Sequence, residues 1–144
     1  MKLYKETKKE NYVKASYFAN HEISEERWYE DVRFIDAHNY RGKVDILVGG
    51  SPCQSFSTYG KKGGLDDTRG TLFFHYANLI KRIRPKVFIY ENVTGLKSHD
   101  KGNTWKVIKD VFDSLNYDIK EATLNAADYG LPQNRQRIFV VGFD

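Results

Sequence analysis

The single cysteine of the chain, Cys53, stands in the segment Gly49-Gly50-Ser51-Pro52-Cys53-Gln54-Ser55-Phe56-Ser57. Two glycines let a backbone turn sharply, and Pro52 fixes the approach to the thiol. A cysteine in a polar loop can be poised as the nucleophilic thiolate, whereas one packed among apolar side chains is inert. Cys53 could be a small residue filling a turn. Its place after a short apolar run, between proline and glutamine, favours the nucleophile. Two further polar groupings invite the same question. Glu91-Asn92-Val93 also follows an apolar run, and Gln133-Asn134-Arg135-Gln136-Arg137 carries two arginines. Alone, Glu91 would be a strand-end carboxylate in water and either arginine an ordinary surface charge. Taken with a thiolate, a carboxyl group and cationic donors are the parts of covalent nucleophilic catalysis.

The elements that must position these residues can be read from apolar patterning. Val44 to Val48, broken only by Asp45, reads as a strand buried on both faces and ended by Gly49-Gly50. Val87 to Tyr90 repeats the pattern after Pro85 and stops at Glu91-Asn92. Between them Leu72, Tyr76, Leu79, Ile80 and Ile83 share one helical face. A second helix is expected from Thr104 to Leu115, with Asn103 as its N-cap. Tyr117 to Leu124 alternates as an outer strand would, and Ile138 to Val141 reads as a final buried strand. Strand, helix, strand, helix, strand implies an α/β fold with a mostly parallel sheet and helices on both faces. In such sheets the chemistry collects at the carboxyl ends of the strands, here Gly49 to Ser57 and Glu91 to Gly95. The first 40 or so residues lack glycine and read as one helix followed by irregular chain. The strand, Gly-rich turn and helix that usually open a nucleotide-binding α/β domain are missing there.

With 144 residues the chain is long enough for one domain with a proper core. No apolar run approaches the ~20 residues that span a bilayer, and the N-terminus has no apolar stretch after its charges, so neither a membrane span nor a secretory signal is expected. One cysteine excludes an internal disulfide and any Cys-rich metal site, and it fits a reducing cytosol. A net charge of +4 mildly favours a polyanionic partner.

Taken in order, Pro52-Cys53-Gln54 with Ser55-Phe56-Ser57, then Arg69-Gly70-Thr71-Leu72-Phe73-Phe74, Glu91-Asn92-Val93 and Gln133-Asn134-Arg135-Gln136-Arg137 resemble the motifs of DNA (cytosine-5) methyltransferases, closest to the bacterial modification methylases. The resemblance runs from about Asp31 to the C-terminus. It implies a partial Rossmann-like core that uses S-adenosylmethionine, acts on double-stranded DNA and works in a bacterial or phage cytosol. Carbon 5 of cytosine is too poor a nucleophile to take a methyl group directly. A thiolate adding at carbon 6 makes the ring enamine-like. By resemblance Cys53 is that thiolate, Glu91 serves the ring nitrogen N3, Arg137 donates to the cytosine O2, and Arg135 orients the network. Asn92 is expected to hold the catalytic loop. The target base must leave the duplex to be reached. Gly60, Gly63 and Gly64 with Lys61 and Lys62 suit a loop that closes on DNA, with Ser57 and Arg69 as phosphate contacts and Gln54 supporting the displaced nucleotide. Asp31 and Val32 match the position that reads the cofactor's adenine, and Pro52 and Leu72 match residues lining the cofactor. No metal is implied.

The family's Gly-rich cofactor loop, ribose carboxylate, closing segment and target-recognition domain have no counterpart in the sequence. The expected organisation is a single catalytic-core fragment, with a helical segment over 1–30 and the motif-bearing core over 31–144. Binding of S-adenosylmethionine by the chain alone is accordingly expected to be weak or absent. A partner chain supplying the missing motifs, or self-association through the strand at Val44 to Val48, would complete the sheet. Two other readings stand beside this one: a truncated chain without turnover that serves at most in DNA binding or assembly, and a relative that modifies transfer RNA.

Overall fold

A computed structural model describes residues 11–52 and 72–144. Two compact units divide the chain, Met1–Asp31 and Val32–Asp144. In the first, helix α1 (Tyr12–Asn20) is capped by the Asn11 side chain, which accepts from the Lys14 amide at 3.1 Å. Irregular chain with a short 3-10 turn follows. Trp28 packs against Tyr17 and Phe18, at 5.3 and 5.7 Å between ring centroids.

The second unit is a four-stranded sheet with helices. Its elements in order are β1 (Ile46–Gly50), α2 (Leu72–Ile83), β2 (Val87–Val93), α3 (Asn103–Asp113), β3 (Asp118–Asn125) and β4 (Gln136–Phe143). The strands lie side by side as β1-β2-β4-β3. β1 and β2 pair in parallel, while β4 runs antiparallel to both of its neighbours. Three strands therefore share one direction and β4 opposes them. The expected mostly parallel sheet is correct for the direction of β1, β2 and β3 and wrong for the pairing of β4. The cause is the connection from Asn125 to Gln136, which carries no α-helix. Parallel neighbours need a crossover of a dozen or more residues, usually helical, and a short connection leaves only the antiparallel choice.

Alternation along the strands sends Phe88, Tyr90, Ile138 and Val140 to one face. Phe73, Phe74, Tyr76, Ala77 and Ile80 of α2 and Ile108, Val111 and Phe112 of α3 cover that face in a single aromatic-rich core. Further out, Leu79 and Ile83 of α2 bury Ala37, with Val32, Ile35 and Tyr40 packed against them. Helices on both faces were expected; among the described residues α2 and α3 share one face. On the other, Ile46 and Val48 of β1 remain 58% and 66% exposed. Both are apolar because the strand is, but nothing described here covers them.

Strand boundaries differ from the expectation in one consequential way. Gly49-Gly50 do not end β1 but belong to it, pairing with Tyr90 and Glu91. Likewise β2 does not stop before Glu91-Asn92. It runs to Val93, because Glu91, Asn92 and Val93 pair with Phe139, Ile138 and Arg137 of β4. Asn103 is not the N-cap of α3. Gly102 holds that position with a left-handed backbone, and Asn103 is the first helical residue. Among the described residues, no helix is long and apolar enough to cross a membrane, and no cluster of His, Cys, Asp and Glu could hold a metal ion.

Candidate active site

The reversed direction of β4 builds the site. Because β4 opposes β2, its first residues stand at the carboxyl ends of β1 and β2, with Arg137 directly across from Val93. A parallel β4 would have carried Arg137 to the far end of the sheet. Glu91 and Arg137 point to the same face as diagonal cross-strand neighbours, a spacing that long side chains span. They meet there: Arg137 Nε donates to Glu91 Oε1 at 2.9 Å, and Arg137 Nη1 donates to the Gln136 carbonyl at 2.8 Å. Arg137 is the more enclosed partner, with 21% of its side chain exposed against 41% for Glu91.

Glycine is required beside this pair for a steric reason. Gly50 lies opposite Glu91 in the parallel ladder. A Cβ at position 50 would fall 2.8 Å from the Glu91 carbonyl oxygen and 3.6 Å from Oε2. At Gly49 it would fall 2.6 Å from the Tyr76 ring. Tyr76 reaches from α2 and donates its hydroxyl to the Ile89 carbonyl at 2.8 Å, with the Leu47 carbonyl at 3.3 Å. It thereby ties α2 across β1 and β2. Burial, reinforced by the neighbouring Tyr90 phenol, holds the Tyr76 hydroxyl well above the ordinary tyrosine range.

The other face of the same strand ends carries a buried polar network. Asn92 Nδ2 donates to the Ser51 carbonyl at 2.8 Å and to Tyr90 Oη at 2.7 Å, and Asn92 Oδ1 accepts from the Val93 amide at 2.9 Å. Ser51 Oγ lies 2.8 Å from Tyr90 Oη. Asn92, expected to hold the catalytic loop, grips Ser51, the residue before Pro52. The amide is 5% exposed, and a buried amide with all its groups bonded is stable where an unmatched one is costly.

Arg135 is exposed, and its side chain forms no ion pair among the described residues. Its backbone is fixed by Asn125. Asn125 Oδ1 accepts from the Arg135 amide at 3.0 Å and Nδ2 donates to Asn134 Oδ1 at 3.1 Å, while the Ala126 amide donates to the Arg135 carbonyl at 3.1 Å. Sequence reasoning missed Asn125, although an asparagine at the end of a strand, ahead of a turn, is a usable signal. It missed Tyr90 and Ser51 as a pair for want of any local pattern joining positions 39 residues apart.

Cys53, Gln54, Ser57 and Arg69 lie outside the described residues, as does the lysine and glycine segment between them. Of the cofactor candidates, Asp31 closes the first unit and Val32 opens the second. Val32 packs its side chain against the Leu79 and Ile83 cluster. Pro52 is exposed just beyond β1, and Leu72 is 38% exposed at the first turn of α2. These residues offer some apolar wall and the backbone near Val32. Among the described residues the buried polar side-chain atom without a partner is Trp28 Nε1, which belongs to none of these positions.

The α/β fold resembles those of solved methyltransferases. A Spodoptera frugiperda DNMT2 variant, 20% identical, superposes with a TM-score of 0.62 over 92% of this chain and 39% of that one, a likeness of fold alone. The model of the C-5 cytosine-specific DNA methylases matches residues 1–144, and the chain belongs to that family. The type II methyltransferase M1.ScrFI of Lactococcus lactis subsp. cremoris is 60% identical over 100 residues, covering 69% of this chain and 26% of that protein. The orphan methyltransferase M.SPRI of Bacillus phage SPR is 44% identical over 133 residues, covering 92% of this chain and 30% of that one. The chain thus spans between a quarter and a third of the length of these relatives. The family is enzymatic and uses S-adenosylmethionine.

Proposed function

We propose that this chain carries the catalytic centre for methylation of carbon 5 of cytosine in double-stranded DNA, with Cys53 as the nucleophile. What supports the reading most is the Glu91–Arg137 pair at the end of β2, beside the glycine end of β1 from which Pro52-Cys53 departs. In the reaction the Cys53 thiolate forms a bond to carbon 6 of the extruded base. The C5=C6 π bond opens as N3 takes a proton from the Glu91 carboxyl in the ring plane, which leaves carbon 5 enamine-like. Once carbon 5 carries the methyl group, it loses its proton to a base and the bond to the Cys53 sulfur breaks, restoring the ring and the thiolate. Arg137 donates to O2 and offsets the charge that accumulates on the adduct. Arg135 orients the surrounding network from a backbone fixed by Asn125. When bound, S-adenosylmethionine would supply the methyl group. Gln54, Ser57 and Arg69 are assigned to the DNA.

The chain alone should bind that donor weakly or not at all, since among the described residues Asp31, the backbone near Val32, Pro52 and Leu72 are those assigned to it. Turnover accordingly depends on further segments, supplied by a partner chain or by the remainder of a longer polypeptide. Among the described residues β1 is an edge strand, with Ile46 and Val48 exposed, and it is where such a segment or a second copy would pair.

The test is Glu91→Gln, with cofactor and recognition segments of a relative such as M1.ScrFI supplied in trans. A group that acts in the transition state lowers the rate when removed and leaves binding to other groups in place. Methylation should fall by orders of magnitude while DNA affinity changes little. Equal losses in both would make Glu91 a structural carboxylate and remove the support for the reading.

A further inference from the structure

At Ser51 the chain leaves the β1 ladder, and from there hydrogen bonds from β2 side chains take over. Ser51 O, Asn92 Nδ2, Tyr90 Oη and Ser51 Oγ form a closed ring with contacts of 2.8, 2.7 and 2.8 Å. Both Nδ2 hydrogens of Asn92 are committed to it. Tyr90 is fully buried, and its ring is wedged among Phe73, Tyr76 and Phe112 at 5.7, 5.7 and 5.4 Å between centroids. The hydroxyl that meets Ser51 is therefore carried on an immobile support. Tyr90 and Asn92 flank Glu91 in β2, one residue to each side, while Glu91 itself faces the opposite side of the sheet. The same three-residue stretch thus presents the carboxylate on one face and holds, on the other, the residue two positions before Cys53.

We propose that Tyr90 is a positioning residue: through its hydroxyl bond to Ser51, closed by Asn92, it sets how the segment bearing Cys53 departs from the sheet relative to Glu91. This rests on the reading of Cys53 as nucleophile, and it assigns a use to the serine at position 51. A phenylalanine at position 90 would pack equally well but leave the Ser51 hydroxyl and one Asn92 hydrogen without their partner in a largely dry site. The tether is thus a hydroxyl pair, not a packing contact, and either half can be deleted with little change of volume.

The lone thiol makes the tether measurable in the intact chain without DNA or methyl donor. The rate of alkylation of Cys53 by iodoacetamide is compared for the unaltered protein, Tyr90→Phe, Ser51→Ala, the double variant and Ser51→Thr, with circular dichroism to verify the fold. Each single deletion should speed alkylation by about threefold to tenfold, the scale of one net hydrogen bond. The double variant should go no further than either single one, and Ser51→Thr, which keeps the hydroxyl, should retain the original rate. Unchanged or slower alkylation, effects that multiply in the double variant, or failure of Ser51→Thr to restore the rate would each overturn the proposal. Should Tyr90→Phe unfold, the contrast between Ser51→Ala and Ser51→Thr decides alone. A negative result here refutes the tether only; the nucleophile assignment is refuted separately, by a DNA adduct that persists in Cys53→Ser or maps to another residue.

Discussion

Replacing Arg137 by glutamine separates a catalytic arginine from a structural one, because the two roles predict losses of very different size. Glu91 leaves 41% of its side chain in solvent and Arg137 leaves 21%, so their attraction is screened. Ion pairs of that exposure contribute about 1 kcal/mol or less to folding. The remaining side-chain bond, to the Gln136 carbonyl, is local and readily replaced by water. With a urea dependence of about 1–3 kcal/mol per molar, the midpoint of unfolding should move by less than about 1 M. The chemistry should suffer far more. A donor aimed at charge that develops in the transition state is worth about a hundredfold to a thousandfold in rate. Urea unfolding of the chain measures the first effect. Single-turnover adduct formation on 5-fluorocytosine DNA, with a relative's missing segments supplied in trans, measures the second. Arg137→Lys keeps the charge but not the planar fork, and should preserve stability while recovering only part of the rate. A stability loss well above 1 kcal/mol with a proportionate loss of adduct, or adduct formation unaffected by the substitution, would refute this division of roles.

Two further outcomes follow from packing and from the polar groups at hand. Gly142→Ala places a Cβ 2.1 Å from the Phe88 ring, which is stacked on Phe112 at 5.2 Å and cannot withdraw freely, so urea unfolding should show a loss of about 1–3 kcal/mol; an unchanged midpoint would contradict the packing described. Calorimetric titration of the isolated chain with S-adenosylmethionine should give no binding in the micromolar range, and light scattering should reveal self-association through β1; micromolar binding by a clean monomer would show a pocket that the described residues do not supply.

The helices were legible because periodicity alone specifies them: the apolar face of Leu72 to Ile83 fixed α2, and that of Trp105, Ile108 and Phe112 fixed α3 to within two residues. The chemistry was legible as residue types in order, but no local pattern announced that Glu91 and Arg137 meet as an ion pair. The apolar pattern of β4 does not give its direction, since a buried strand looks alike run either way; the usable signal was the short connection after β3, which carries no α-helix. Yet that direction is what brings the two residues together. The glycines misled in a similar manner. Gly49-Gly50 read as a strand ending because glycine usually interrupts a strand, but here it permits close approach to Tyr76 and Glu91 within the ladder. The contact between Tyr90 and Ser51 was not legible because it joins positions far apart in the chain, a relation that only the register reveals, whereas Asn125 carried a local signal that was not used.

The measurement that bears most directly on the account is covalent capture of the target base. Duplex DNA carrying 5-fluorocytosine, offered with S-adenosylmethionine to the chain plus a relative's missing segments, should give a denaturation-resistant complex. Those segments should themselves carry no Pro-Cys-Gln motif. Peptide mapping should find the nucleotide on Cys53, and Cys53→Ser should abolish the complex while leaving the fold intact by circular dichroism. An adduct that persists in Cys53→Ser, or one mapped to another residue, would contradict the assignment of Cys53 as the nucleophile.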